Sequence, residues 1–478
     1  MINYIVPTPK KTELTEGVTS VPLTLCLTVP EWEECAKTLT EAFKKLFKVT
    51  ITRADGGIII KKDTTLPSGT YTLDSRDGIV LSASDSEGIF YAAATLLQAV
   101  SVKENKALMS RVLIEDYPEK DFRGLMIDLA REWHPAYTVH QYIDVCFMLK
   151  IKYLHLHFID NERYTLPSLA FPKLNEGDSY TYDEIVSMRE HAKARGVIII
   201  PEFEAPGHAK LLSVCYPEVF ANETEGEADT MLTENGIVIS DKSIICAGKA
   251  ETMDGIKVLL RETCELFPDS PYIHIGGDEA NINVWNNCPT CKKYMAENGI
   301  TDVHELYSEF VGRTAESVIE MGKRPIVWEG FPKKGSARIP KQTIVIAWES
   351  LYHLANELIE EGFTVINASW VPTYIVPAPE MNWGTREILD WNVYNWQHWY
   401  KKSFAYEKPI NVEPTEQVIG AEICVWESTF ELEISKTINN LAALSERTWT
   451  VARLWNDMDF INRAKPTLLR IGRYIQTV

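Results

Sequence analysis

From residue 121 onward, short apolar runs rich in β-branched residues alternate with longer stretches whose apolar positions recur every three to four residues. The short runs predict strands at 124–129, 153–159, 197–202, 272–276, 325–329, 343–348, 364–368 and 418–425. Continuous runs such as Val197-Ile198-Ile199-Ile200 suit strands buried on both faces, the condition of a parallel sheet. Amphipathic segments at 139–150, 182–195, 255–266, 303–321 and 352–362 fit between most of them as helices. Eight such β/α units in about 350 residues predict an α/β fold of the (β/α)8 TIM-barrel type. The first 118 residues read differently, as a small α/β domain with strands at 57–61 and 78–82 and helices at 30–47 and 88–100. The turn Glu115-Asp116-Tyr117-Pro118 marks the expected division into 1–118 and 119–478. No titratable cluster with a chemical spacing falls in the first segment, which points to support or docking.

Composition narrows the function. The chain has 478 residues, and 48 Lys+Arg against 67 Asp+Glu leave a net charge of −19, which argues against nucleic acid as a partner. No run approaches the ~18 apolar residues of a membrane span. The opening MINYIVPTPK carries no basic segment followed by an apolar one, so no secretory signal is expected. Nine scattered cysteines read as reduced thiols, and the expected location is the cytoplasm.

In a barrel, functional groups gather at the C-terminal ends of the strands. Those ends carry Asp128 and Arg131, then His155, His157 and Asp160, then Glu202, Glu204 and His208, then Asp278 and Glu279. Later ends carry Trp328, Trp348, Tyr374 and Trp426. In His274-Ile275-Gly276-Gly277-Asp278-Glu279, two glycines at a strand end precede adjacent carboxylates, and a shared cleft would raise the pKa of one of them. His155 and His157 lie on one face of a strand and read as a metal pair, as hydrogen-bonding support for an active site, or as core histidines; support is the preferred reading. Thirteen tryptophans are many, and Trp328, Trp348, Trp383 and Trp426 near acidic residues suit a carbohydrate pocket. Cys288-Pro289-Thr290-Cys291 has C-x-x-C spacing, but no second pair follows at zinc-ribbon distance, so no metal is expected there. No glycine-rich nucleotide signature is present, and no cofactor is indicated.

With these residues in view, almost the whole chain resembles the glycoside hydrolase family 20 β-N-acetylhexosaminidases. The resemblance rests on Glu87-Gly88-Ile89-Phe90-Tyr91, Phe122-Arg123-Gly124-Leu125-Met126-Ile127-Asp128, Leu154-His155-Leu156-His157 to Asp160, Pro201-Glu202-Phe203-Glu204-Ala205-Pro206-Gly207-His208, and His274 to Glu279. It implies a retaining exo-hydrolase of terminal β-linked GlcNAc or GalNAc in which the substrate's own 2-acetamido oxygen attacks the anomeric carbon and forms an oxazolinium intermediate. Glu279 then matches the general acid/base, Asp278 the group that orients the acetamido N–H, and Tyr374 the hydroxyl on the acetamido oxygen. Trp328, Trp348 and Trp426 match the walls of the N-acetyl pocket, Arg123 the holder of sugar hydroxyls, and Asp160 and His208 a support chain behind Glu279. His157 is grouped with the substrate-binding residues, and Trp383 is a stacking candidate in the leaving-group subsite.

Three positions depart from the family pattern. Val376 stands where an aspartate that binds sugar hydroxyls is usual, and Ser428 where a glutamate is usual, with Glu427 beside it as a substitute. Glu204 stands in place of an aspartate. The changes at Val376 and Ser428 imply a loosened subsite for the terminal sugar. The expected partner is a small oligosaccharide or glycoconjugate, and a homodimer is compatible with the sequence. The rival readings are a metal-dependent barrel hydrolase built on His155 and His157, and a barrel that binds sugar without turnover.

Overall fold

The computed structural model describes residues 4–104, 106–224, 231–232, 238–239, 244–378 and 381–476. The eight barrel strands are β1 (Phe122–Asp128), β2 (Tyr153–His157), β3 (Ile198–Glu202), β4 (Tyr272–His274), β5 (Arg324–Trp328), β6 (Ile344–Ala347), β7 (Thr364–Asn367) and β8 (Val418–Val425). They pair in parallel in chain order, and β8 closes the ring by pairing with both β7 and β1. The period of two sorts their side chains. Along β1, Phe122 and Met126 join an inner cluster with Ile200, Ile326, Ile344 and Ile366, whereas Leu125 and Ile127 join the outer cluster under the helices. The inner cluster ends in Trp328, Trp348, Tyr374 and Trp426, so its uppermost layer is aromatic.

The outer ring contains α1 (Ala136–Met148), α2 (Tyr182–Lys193), α3 (Ala250–Leu266), α4 (Val303–Glu320), α5 (Ala355–Glu360), α6 (Thr385–Asp390) and α7 (Phe430–Trp449). Local chemistry starts several of them. Thr181 and Glu184 form a reciprocal capping box ahead of α2, and the Asp302 carboxylate accepts the Glu305 N–H at the start of α4. Between β5 and β6 there is only the single 3-10 turn Ser336–Arg338, the one place where the expected alternation lapses among the described residues.

Ahead of the barrel, strands from Lys11–Ser20 to Lys106–Asp116 form one mixed eight-stranded sheet, with the helices Glu33–Phe47 and Ser86–Ala99 packed against it. This domain sits at the N-terminal ends of the barrel strands, opposite the mouth. Buried Lys150, ahead of β2, donates to Asp116 at 3.1 Å and to the Tyr71 hydroxyl at 2.8 Å, and the Trp449 indole donates to Asp116 at 2.8 Å. The last helix, Asp457–Gln476, packs on both α1 and Glu33–Phe47 and ties the two parts together. None of the described helices is long and apolar enough to cross a membrane.

Candidate active site

At the C-terminal ends of the strands the aromatic layer opens into a cleft of about 250 Å³. That volume lies near the small end of ligand pockets, about 300–1,000 Å³, and suits one sugar ring. Trp328, Trp348, Tyr374 and Trp426 wall it, with Asp278, Glu279 and Arg131 along its polar side. Tyr374 stacks on Trp370 with ring centroids 4.3 Å apart, and Trp348 packs beyond it in nearly parallel orientation. Such rings present apolar faces while keeping polar edges available to a ligand. The indole N–H groups of Trp370, Trp399 and Trp426 are buried without a protein acceptor and so are open to oxygen atoms of a ligand.

The two carboxylates reach the cleft because β4 ends in glycine. Gly276 has φ +67°, and a Cβ there would fall 2.1 Å from the Glu204 carboxyl. Glu204 accepts the Gly277 N–H at 3.0 Å, and the Tyr307 hydroxyl donates to the Gly277 carbonyl at 2.6 Å, which holds the turn. Glu279 (φ +42°), His208 (φ +50°) and Glu427 (φ +52°) are all left-handed without being glycine. Strain of this kind persists where surrounding structure over-determines it, commonly at functional sites. Burial raises the Asp278 pKa to about 6, with nearby His208 opposing and the Glu279 charge adding. Burial, with the charges of Asp278 and Glu202, also pushes Glu204 well above the usual carboxyl range.

Behind Glu279 runs a chain of alternating imidazoles and carboxylates. His208 Nε2 lies 3.6 Å from Glu279 and 4.0 Å from Asp278, and its Nδ1 lies 3.2 Å from Asp160. Asp160 meets His157 Nε2 at 3.2 Å and Arg131 Nε at 2.7 Å, and His157 Nδ1 meets Glu202 at 2.6 Å. Burial opposes a charge on His157, but Glu202 and Asp160 outweigh it and raise its pKa to about 10. Burial likewise opposes ionisation of Asp160, and Arg131 and His208 hold it well below the usual range. Glu202 also accepts the Trp328 indole N–H at 2.5 Å, so the same chain orients one wall of the cleft.

With this geometry in place, comparison with known proteins is informative. The model for the glycosyl hydrolase family 20 catalytic domain matches residues 121–452, and that for domain 2 of the same family matches residues 3–117. The chain belongs to glycoside hydrolase family 20. The beta-hexosaminidase of Vibrio furnissii is 28% identical over 394 residues, covering 77% of this chain and 63% of that protein. That of Akkermansia muciniphila is 30% identical, covering 67% of this chain and 68% of its own length. The chain thus spans less than two thirds of the Vibrio furnissii relative. Among solved structures, the family 20 exo-β-N-acetylglucosaminidase of Vibrio harveyi in complex with N-acetylglucosamine superposes with a TM-score of 0.83 at 22% identity, over 99% of this chain and 78% of that one. The β-N-acetylhexosaminidase of Bacteroides fragilis gives 0.81 at 22% identity, over 98% and 96%. These superpositions show the family 20 barrel fold.

Within this family 20 barrel, most of the expected site residues converge: Asp278, Glu279, Tyr374, Trp328, Trp348, Trp426 and Glu427 line the cleft, and Asp160 and His208 stand behind it. Three expectations are corrected. Arg123 lies at the N-terminal end of β1, fully buried in the seam between the domains. It donates to the Lys150, Lys120 and Asp121 carbonyls and to the Tyr91 hydroxyl, and is stacked on Tyr91 and Trp449. Arg131, three residues past the other end of the strand, is the arginine of the cleft. Trp383 lines a separate hollow with Pro372 and Trp391, and Trp370 and Trp399 take up the cleft instead. His157 does not line the cleft, because both ring nitrogens are engaged by Glu202 and Asp160 in the interior. His155 faces Glu202 at 3.2 Å and Glu422 at 3.5 Å and is sealed inside too, so the metal-hydrolase reading has no cleft to serve. Arg123→Ala should cost on the order of 3 kcal/mol in stability with KM unchanged. Arg131→Ala should raise KM about tenfold or more, and denaturant titration beside kinetics separates the two.

Proposed function

We propose that the chain hydrolyses terminal β-linked GlcNAc or GalNAc from short oligosaccharides or glycoconjugates, with retention, through an oxazolinium formed by the substrate's acetamido group. The observation that carries this reading is the Asp278–Glu279 pair beside the aromatic walls of the cleft. The carboxylates of these two residues and His208 offer ligand atoms within 4.8 Å of one another. Retention in this reading comes from the substrate's own acetamido group acting in place of an enzyme nucleophile, an exception to the two-carboxylate scheme. Glu279 protonates the leaving oxygen and then takes the proton of the attacking water. Asp278 holds the acetamido N–H as positive charge develops, and the Tyr374 hydroxyl steadies the acetamido oxygen. An amide oxygen held against the anomeric carbon reacts as a neighbour rather than as a solute, with effective molarities that can reach about 10^5 M. Release of 4-nitrophenol from the β-GlcNAc and β-GalNAc glycosides, with NMR of the first anomer formed, tests it. A β-anomer formed first supports the proposal, whereas an α-anomer or no turnover on either sugar overturns it.

Val376 lines the cleft, and its N–H and carbonyl are both clamped by Asn382, at 3.1 and 2.6 Å. The side chain can therefore be changed without moving its loop. An apolar residue here leaves sugar hydroxyls without a fixed acceptor, which supports tolerance of the galacto epimer or of an added substituent. Val376→Asp should increase the preference for GlcNAc over GalNAc by about five- to tenfold, the worth of about one hydrogen bond. An unchanged ratio of kcat/KM values would remove Val376 from the account of specificity.

A further inference from the structure

Away from the cleft, three cysteines from two segments meet. Cys288 and Cys291 bracket the start of the helix Pro289–Glu297, which follows the Asp278-Glu279 loop, and Cys246 stands four residues ahead of α3. All three are buried free thiols. The Cys246 sulfur lies 3.8 Å from that of Cys288 and 3.6 Å from that of Cys291. A disulfide requires about 2.05 Å. Sulfurs at the corners of a tetrahedron around an ion with bonds of about 2.3 Å stand about 3.8 Å apart, which matches the observed spacing.

Backbone donors point at the sulfurs. The Glu223 N–H donates to the Cys288 sulfur at 3.5 Å, and backbone groups of Cys291 and Gly248 bond Cys288 and Cys246. Such amide donors around sulfur are a usual outer shell of a metal site. The two segments also press together without room for a side chain, since a Cβ on Gly248 would fall 2.6 Å from the Thr290 carbonyl oxygen and 2.8 Å from Cys291 Cα.

We propose that Cys246, Cys288 and Cys291 bind one zinc ion as thiolates, in a structural site separate from the catalytic cleft. Among the described residues these three supply three corners of the tetrahedron, and no fourth Cys, His, Asp or Glu brings a ligand atom into the group. C-x-x-C spacing alone points away from a metal, because the third sulfur comes from 42 residues upstream of Cys288. It joins segments that carry catalytic loops: the Trp285 indole donates to the Ile245 carbonyl at 3.0 Å, and the Ile245 N–H donates to the Pro206 carbonyl at 3.0 Å, two residues from His208.

The test is elemental analysis of the full chain purified without chelator or added metal, beside the spectrum of cobalt-exchanged protein. About one zinc per chain is expected, with a thiolate-to-cobalt charge-transfer band in the near ultraviolet. Cys246→Ser, Cys288→Ser and Cys291→Ser should each lower the zinc content at least tenfold, while Cys264→Ser and Glu279→Gln leave it unchanged. If the serine variants fail to fold, the zinc content and cobalt spectrum of the unaltered chain decide. Metal-free protein, a disulfide among the three cysteines, or zinc retained by all three serine variants would overturn the proposal. These readouts do not depend on catalysis, so they stand or fall apart from the hydrolase reading.

Discussion

Glu279→Gln is expected to lower kcat on an oligosaccharide by about 10^3-fold, within the 10^2–10^4 range of a general acid/base. A sugar leaves as an alcohol and needs a proton, which Gln cannot supply. A 4-nitrophenyl glycoside leaves as a stable phenolate, so its first step should be affected far less than that of the oligosaccharide. The second step still requires a base to activate water. Azide needs no such base: on the proposed pathway it attacks the anomeric carbon of the oxazolinium directly, reopening the acetamido group and giving the β-glycosyl azide. Partial rescue of the nitrophenyl reaction by azide would therefore identify Glu279 as the proton carrier. An unchanged kcat on both substrates would refute the assignment. His208, tied through Asp160 and His157 to Glu202, lies 3.6 Å from the Glu279 carboxylate and limits where that side chain can go.

Several of these features were legible in the sequence for definite physical reasons. Strands buried on both faces, such as those through Ile198–Ile200 and Ile344–Ala347, appear as apolar runs that local composition reveals. The glycines before Asp278 signal a turn that a side chain would block, and Glu204 is the group that would be struck. The missed features depend on register and on long-range closure. Arg123 and Arg131 flank the same strand, and only the direction of β1 and the docking of the first domain decide which arginine meets the cleft. Trp370 and Trp399 enter from irregular segments whose path follows no period. Here Val371 N–H bonds the Gln397 carbonyl, and the two stretches close on each other across 26 residues. Cys246 is likewise silent in the sequence, because its partners lie beyond an entire helix and strand.

Asp278→Asn is expected to trade activity for stability. Asp278 is 8% exposed and its pKa is raised from 3.8 to about 6, so the folded chain holds this carboxylate ionised at pH 7 against its surroundings. The gap between 3.8 and about 6 corresponds to about 3 kcal/mol. A raised carboxyl pKa gives a contribution to stability that is full below pH 3.8 and is lost as pH rises through about 6. The neutral amide avoids that loss. Asp278→Asn should then be more stable than the parent by on the order of 1–3 kcal/mol at pH 7–8, with the advantage shrinking towards pH 4. Activity should move the other way. In the proposed mechanism the ionised carboxylate steadies positive charge on the acetamido nitrogen in the transition state, and its loss should lower kcat about 10^2–10^3-fold, as for other preorganised groups aimed at developing charge. In the parent, kcat/KM should fall about tenfold for each pH step below about 6, and this acid limb should vanish in the variant. Denaturant titrations at pH 4 and 8, run beside the two pH–rate profiles, would test both halves. A variant that loses stability at pH 8, or that keeps the acid limb, would show that the strained charge resides elsewhere in the site.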